Sequence, residues 1–263
     1  MKEAARTSVL SSGWRYLWTY AIRVLDFNAS QFSQLIGSKT TSLDFERNKF
    51  IEWVKKVLIS YNSPTIDEFR VFYIGGQICK PYIDSWINFA LEKSVWRLGL
   101  YLRELELSCS YIYFQPGFYA LTLQFLQNCK LDSLTCISLK EVEVAEEAVE
   151  YILSSCPFLE CLTVITSDSL VNLKVSGPSL KLKHLNILSC INVQCIEISA
   201  PSLVSFKYGG PKAKIIFKDV PCLVEASFAG PYVPFLVNNL PQNSWCLSQL
   251  RTLALNVIYL VSM

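Results

Sequence analysis

The sequence predicts an α/β solenoid with a parallel front sheet, helices on the back in the N-terminal half and a second sheet on the back in the C-terminal half. Three observations predict it. Aliphatic triplets recur in one frame: Leu182, Leu185, Ile187; Val193, Ile196, Ile198; Leu203, Phe206, Tyr208; Leu223, Ala226, Phe228. Their middle members lie 11, 10 and 20 residues apart, with the alternating Ile215 and Phe217 in the one gap. Turn residues separate them: Ser-Gly-Pro at 176–178, Ala-Pro at 200–201, Gly-Gly-Pro at 209–211 and Val-Pro at 220–221. Proline has no N–H to give a ladder, so these segments lie between strands. Self-similarity at a fixed period is the signature of stacked repeats.

Each triplet has the form L-x-x-L-x-L, and Cys190 fills the N/C position after Ile187, which completes the leucine-rich-repeat consensus. A strand and a turn use about 10 residues, whereas a coil with a helix on its back needs about 20 to 29. A step of 10 or 11 is therefore half a coil, and alternate triplets fall on opposite faces. Leu182–Ile187, Leu203–Tyr208 and Leu223–Phe228 are expected in the front sheet; Leu170–Val175, Val193–Ile198 and Lys214–Phe217 in the back one.

Upstream the same front pattern alternates with helical periodicity. Residues 3–20 show Val9, Leu10, Trp14, Leu17 and Trp18 at helical spacing, with a break at Gly13. Ile22, Leu25 and Phe27 give the first strand, and the polar residues 28–48 are expected as a loop. Phe50, Trp53, Val54, Val57, Leu58 and Tyr61 form one apolar helix face opposite Lys55 and Lys56, and Asn62-Ser63-Pro64 stops it. A strand at Ile66, Phe69 and Val71 follows, then a helix with Ile83, Trp86, Ile87, Ala90 and Leu91 inward, then a strand at Leu102, Leu105 and Leu107. Further helices are expected near 118–128 and 145–154, each before another front triplet. The outer layer should change from helix to strand near residue 165, within one continuous solenoid over 22–263.

Composition narrows the function classes. Half of the 263 residues are apolar and 17% charged, which excludes a disordered chain. A net charge of +2 is too small to argue for nucleic acid or a membrane surface, and no run reaches the roughly 18 apolar residues of a membrane span. The ten cysteines contain no C-x-x-C, and the single histidine, His184, cannot complete a metal set from spacing. They read as reduced core thiols, which with an N-terminus interrupted by Ser11, Ser12 and Gly13 suggests a cytoplasmic or nuclear protein.

EAARTSVLSSGWRYLWTYAIRVLDF (3–27) resembles the second half of the F-box in the plant F-box/leucine-rich-repeat proteins. NSPTIDEFRV (62–71), IDSWINFALEKSV (83–95), LRELEL (102–107) and LSSCPFLECLTV (153–164) are similar to that group's landmark segments, in the same order. The leading Leu-Pro helix of the F-box is absent before Glu3, Ser12 and Gly13 stand where the group has a basic pair, and the domain that often follows the repeats is missing after Met263. The chain thus looks like a member truncated at both ends, with a partial F-box-like segment at 1–21.

The resemblance implies a protein-interaction module that recruits a protein substrate to an SCF-type ubiquitin ligase and has no catalytic residues, cofactor or metal. Its partners would be the Skp-type adaptor of the cullin ligase and an unknown protein substrate. The alternative is a leucine-rich-repeat scaffold or truncated remnant without adaptor binding. Val9, Leu10, Trp14, Leu17 and Trp18 would contact the adaptor or cap the first coil.

The residues themselves offer little to catalysis. His184 sits at an outward x position with no assignable nucleophile, and Glu141, Glu143, Glu146, Glu147 and Glu150 suit a solvated helix start. What remains is surface. Strand alternation places Arg103, Glu104, Glu106, Lys183, His184, Asn186, Ser205 and Lys207 on the concave front face, where solenoids bind other proteins. The last strand, Leu250 to Val261, is nearly all apolar and is expected to leave the isolated chain prone to association.

Overall fold

The computed structural model describes residues 22–29, 43–74, 79–103, 118–177, 180–239 and 248–257. They fall into two compact units, Met1–Tyr119 and Ala120–Met263. Both have the predicted leucine-rich-repeat construction: a parallel front strand, a turn, a back element and a return. No described helix is long and apolar enough to cross a membrane.

In the first unit β1 (Val24–Asn28), β2 (Glu68–Ile74) and β3 (Arg97–Arg103) pair in that order, all parallel. Helices α1 (Leu43–Ser60) and α2 (Lys80–Glu92) connect them. α2 buries Ile83, Trp86, Ile87, Ala90 and Leu91, the face its periodicity foretold. α1 begins seven residues before Phe50, inside the stretch expected as a loop. Its first turns carry no core-facing period because they are held locally: Lys49 pairs with Glu46 at 3.5 Å and lies 4.2 Å over the half-exposed Phe45 ring. The core beneath is aromatic, with Phe50 stacked on Tyr73 at 5.0 Å and Trp86 edge-on to both. The Tyr73 hydroxyl meets the Cys79 thiol at 3.3 Å.

β3 departs from its expected position. The strand paired to β2 begins earlier, with Leu98 and Leu100, and takes in the expected Leu102, all three buried; Leu105 and Leu107 lie outside the described residues. Two overlapping triplets compete here. The earlier one lies 29 residues after Phe69, within the span of one repeat. The later one lies 36 residues on, outside it.

Among the described residues the second unit has six parallel front strands: β4 (Cys136–Lys140), β5 (Cys161–Ile165), β7 (His184–Leu188), β9 (Ser205–Gly209), β11 (Glu225–Ala229) and β12 (Thr252–Asn256). On the back, α3 (Leu123–Leu126) and α4 (Glu146–Ser155) give way to a parallel sheet of β6 (Asn172–Ser176), β8 (Cys195–Ser199) and β10 (Lys214–Asp219). The change from helix to strand falls where the intervals shorten, as expected. α3 is much shorter than 118–128 because Ala120 forms a parallel bridge with Glu143 and Leu121 donates to the Glu143 carbonyl at 2.9 Å. The helix then starts at its Thr122 cap, whose hydroxyl accepts from Phe125 N. One further helix, α5 (Tyr232–Asn238), returns on the long last interval; Pro231 and Pro234 fall at its start, where a missing N–H costs little.

Two backbone devices recur in this unit, the first at each step between front strands and the second after β4, β5, β7 and β11. The carbonyl just before a front strand accepts two N–H groups from the next coil: Glu160 O from Lys183 and His184 (2.8 and 2.9 Å), Lys183 O from Val204 and Ser205 (2.8 and 2.9 Å), Val204 O from Val224 and Glu225 (both 3.0 Å). The residue just after a front strand turns left-handed: Glu141 (φ 56°), Thr166 (57°), Ser189 (54°) and Gly230 (67°). Each donates its N–H to the last carbonyl of the next strand, as Thr166 does to Leu188 at 2.9 Å. The ladder thus extends one residue past the strand before the chain leaves the sheet.

Candidate functional site

Alternation within the strands divides each front sheet into two sets. The apolar members point inward and are buried, as Leu162, Val164, Leu185, Ile187, Phe206 and Tyr208 show. The x positions point outward, and parallel pairing in register lines them up in rows across the strands. One row in the second unit runs Cys136, Cys161, His184, Ser205, Glu225. The next runs Ser138, Thr163, Asn186, Lys207, Ser227.

The predicted front-face residues distribute unevenly. Lys183 is exposed and paired with Glu160 at 2.7 Å. Asn186 donates from Nδ2 to Thr163 Oγ1 at 2.9 Å across β5 and β7. His184 and Lys207 are exposed. Ser205 holds the predicted register but not the predicted exposure: it is only 5% exposed, being a short side chain in a row between the longer His184 and Glu225. Arg103 ends β3 opposite Ile74, and its side chain lies outside the described residues. Glu104 and Glu106 lie outside the described residues, as do Val9, Leu10, Trp14, Leu17 and Trp18 with the rest of the 1–21 segment.

The first unit carries a charge network on its outward positions that sequence alone did not single out. Arg70 pairs with Asp26 on β1 at 3.2 Å and with Glu68 at 3.4 Å, and Glu68 pairs with Arg97 on β3 at 3.4 Å. Gly99 makes room for it: a Cβ there would sit 3.2 Å from Arg70 Cγ and 3.0 Å from the Tyr101 ring. The arginines and Asp26 are well exposed and Glu68 partly so, and each pair adds about 0–1 kcal/mol. At the mouth of the strands Arg23 lies 5.7 Å over the half-exposed Trp96 and pairs with Asp67 at 3.0 Å.

The N/C slot of the consensus is filled by a buried group in successive coils. Cys190 lies under β7, its thiol directed at the Leu188 carbonyl at 3.5 Å, and burial pushes that thiol up to about 11. One coil earlier Ser167 takes the same slot: its Oγ accepts from Val144 N at 2.9 Å and reaches the Val144 carbonyl at 3.2 Å. Its role was hidden because serine matches the slot in function, not in letter.

Of the acidic group, Glu146 and Glu147 occupy the first turn of α4, as a helix dipole favours. Glu143 instead accepts from Ser169 N at 2.7 Å and Asp168 N at 3.3 Å, a brace for the turn after β5. Burial, then the Glu143 charge, raises the Asp168 carboxyl above its ordinary value. Among the described residues no group of three or more His, Cys, Asp and Glu is placed to hold a metal ion.

Comparison with known proteins agrees with this construction. Residues 66–256 match a family described as the At1g61320/AtMIF1 LRR domain. The chain is 30% identical over 195 residues to the F-box/FBD/LRR-repeat protein At1g13570 of Arabidopsis thaliana, covering 71% of this chain and 44% of that protein. It is 28% identical over 244 residues to the F-box/LRR-repeat protein At3g03360 of Arabidopsis thaliana (85% and 46%). It is 30% identical over 206 residues to the F-box protein At5g03100 of Arabidopsis thaliana (71% and 57%). The chain spans about half the length of these curated relatives.

Proposed function

The chain belongs to the plant F-box/leucine-rich-repeat family, through the At1g61320/AtMIF1 LRR domain, and from that premise we propose that it holds a protein substrate on its front faces for an SCF-type ubiquitin ligase. The observation that carries the reading is the strict register of the front strands. It commits the inward side chains of β4 to β11 to the core and leaves aligned rows of polar groups to meet a partner. Such rows bind by complementarity over an extended area. Adaptor binding is assigned to the 1–21 segment with Val9, Leu10, Trp14, Leu17 and Trp18, by analogy with F-box-named relatives.

Two measurements test this. Purified chain mixed with the Skp-type adaptor should co-elute, and Trp14→Ala with Trp18→Ala should weaken the complex at least tenfold. Failure of the wild type to bind leaves a repeat scaffold without ligase function. Proximity labelling in plant cells, compared between wild type and His184→Glu/Lys207→Glu, should then show substrate proteins lost from the variant. Lys56→Glu on the exposed face of α1 should keep them. An identical set from both variants overturns front-face recognition.

A further inference from the structure

The front row of the second unit begins with two cysteines in register, Cys136 on β4 and Cys161 on β5. Both are partly exposed thiols at outward positions, since their neighbours Ile137 and Leu162 point inward. Paired parallel strands lie about 4.8 Å apart, and a disulfide spans Cα atoms about 4.4 to 6.8 Å apart. The sheet therefore holds the two Cα atoms within the range that a disulfide spans.

We propose that Cys136 and Cys161 form an oxidisable dithiol on the front face that closes to a cross-strand disulfide with a low-molecular-weight disulfide such as oxidised glutathione. One protein thiol, as its thiolate, attacks a glutathione sulfur; a protein–glutathione S–S bond forms and one glutathione thiol leaves. The second protein thiol attacks the first cysteine's sulfur, the mixed disulfide breaks, and the second glutathione leaves. Two electrons pass from the protein to the glutathione disulfide, and the two thiol protons leave with the products.

Cys156, Cys190 and Cys222 do not share these conditions. Cys156 and Cys190 are buried under the back and front layers, and burial pushes their thiols up to about 12 and about 11. Cys222 is exposed but stands in the turn before β11, away from a second thiol in register. The next residue in the row is His184, yet a third metal ligand does not result: the row steps straight across the strands, and no three-ligand group is found among the described residues. Oxidation is thus favoured over metal binding. Burial also raises the Cys161 thiol, the Cys136 hydrogen bond pulls it down, the Glu160 charge pushes it up and Lys183 pulls it down, and closure, which needs the thiolate, should quicken as pH rises through the thiol range. The proposal stands apart from substrate recruitment, since it needs no partner.

The test uses the full chain. Reduced protein is equilibrated with glutathione buffers from reducing to oxidising, quenched by alkylation and mapped by mass spectrometry. The expected result is one linked peptide pair, Cys136 with Cys161, with the loss of two thiol hydrogens and with Cys156 and Cys190 still alkylated after denaturation. Cys161→Ser should abolish the linked pair and leave Cys136 as a glutathione adduct. The proposal is overturned if Cys136 and Cys161 carry separate glutathiones, pair elsewhere, or stay alkylatable when Cys222 is fully modified. Should Cys161→Ser not fold, the wild-type map alone decides.

Discussion

Thr166 adopts φ 57°, a region where a Cβ crowds the following carbonyl and where a β-branched residue is an outlier. Its N–H to Leu188 holds it there, completing the ladder past β5. Gly230 meets the same demand after β11 at no steric cost. Thr166→Gly should therefore stabilise the protein by about 0.5–1 kcal/mol, the relieved strain exceeding the extra entropy of glycine in the unfolded chain. Urea denaturation checks this, and a lower midpoint for the variant contradicts it. At this scale the sequence was legible only where the consensus names a letter. Cys190 was found in its slot; Ser167, Thr166 and the Arg70 network were not. Thr166 and the network hold positions that are unconstrained in the repeat or set by backbone conformation, which no triplet reports, and Ser167 fills the consensus slot with a letter the consensus does not name.

Elements were more legible, because apolar period and turn chemistry specify them together. The alternate-face reading of half-coil steps places β6, β8 and β10 behind β7, β9 and β11, and Phe206 shows how the layers join. It is fully buried in β9, edge-on to Phe217 of the back sheet at 5.5 Å and to Phe228 of β11 at 6.1 Å. Phe206→Ala should cost about 3–5 kcal/mol, since a cavity opens between two sheets that cannot collapse independently. Chemical denaturation followed by circular dichroism measures it; a loss below about 1 kcal/mol would show that the layers repack. The misplacements have one cause. β3 and α3 lie where the pattern fits more than one frame, and pairing to a neighbour (β2 for Leu98, Glu143 for Leu121) selects the frame.

At the scale of the whole molecule, β12 is the instructive strand. Leu253 and Leu255 share register with Ala226 and Phe228, which are buried, yet each is 41% exposed. Among the described residues β12 pairs only with β11. An apolar strand with an open side recruits another chain. The isolated chain should therefore elute from a sizing column as more than a monomer at micromolar concentration, and Leu253→Ser/Leu255→Ser should shift it toward monomer. Light scattering on both samples decides, and a monomeric wild type would refute the expectation.

Rungs so alike also pose a problem during folding. A strand that skips a coil meets the same alternation it would have met in its proper place, so a wrong pairing is only weakly penalised among the aliphatic members around Leu162, Val164, Leu185 and Ile187. Side-chain bulk breaks the degeneracy further along. Tyr208 and Phe228 both pack on Tyr232, at 5.0 and 5.3 Å, an arrangement that aliphatic strands cannot imitate. These rings act as an address label, and the chain counts its own turns from them.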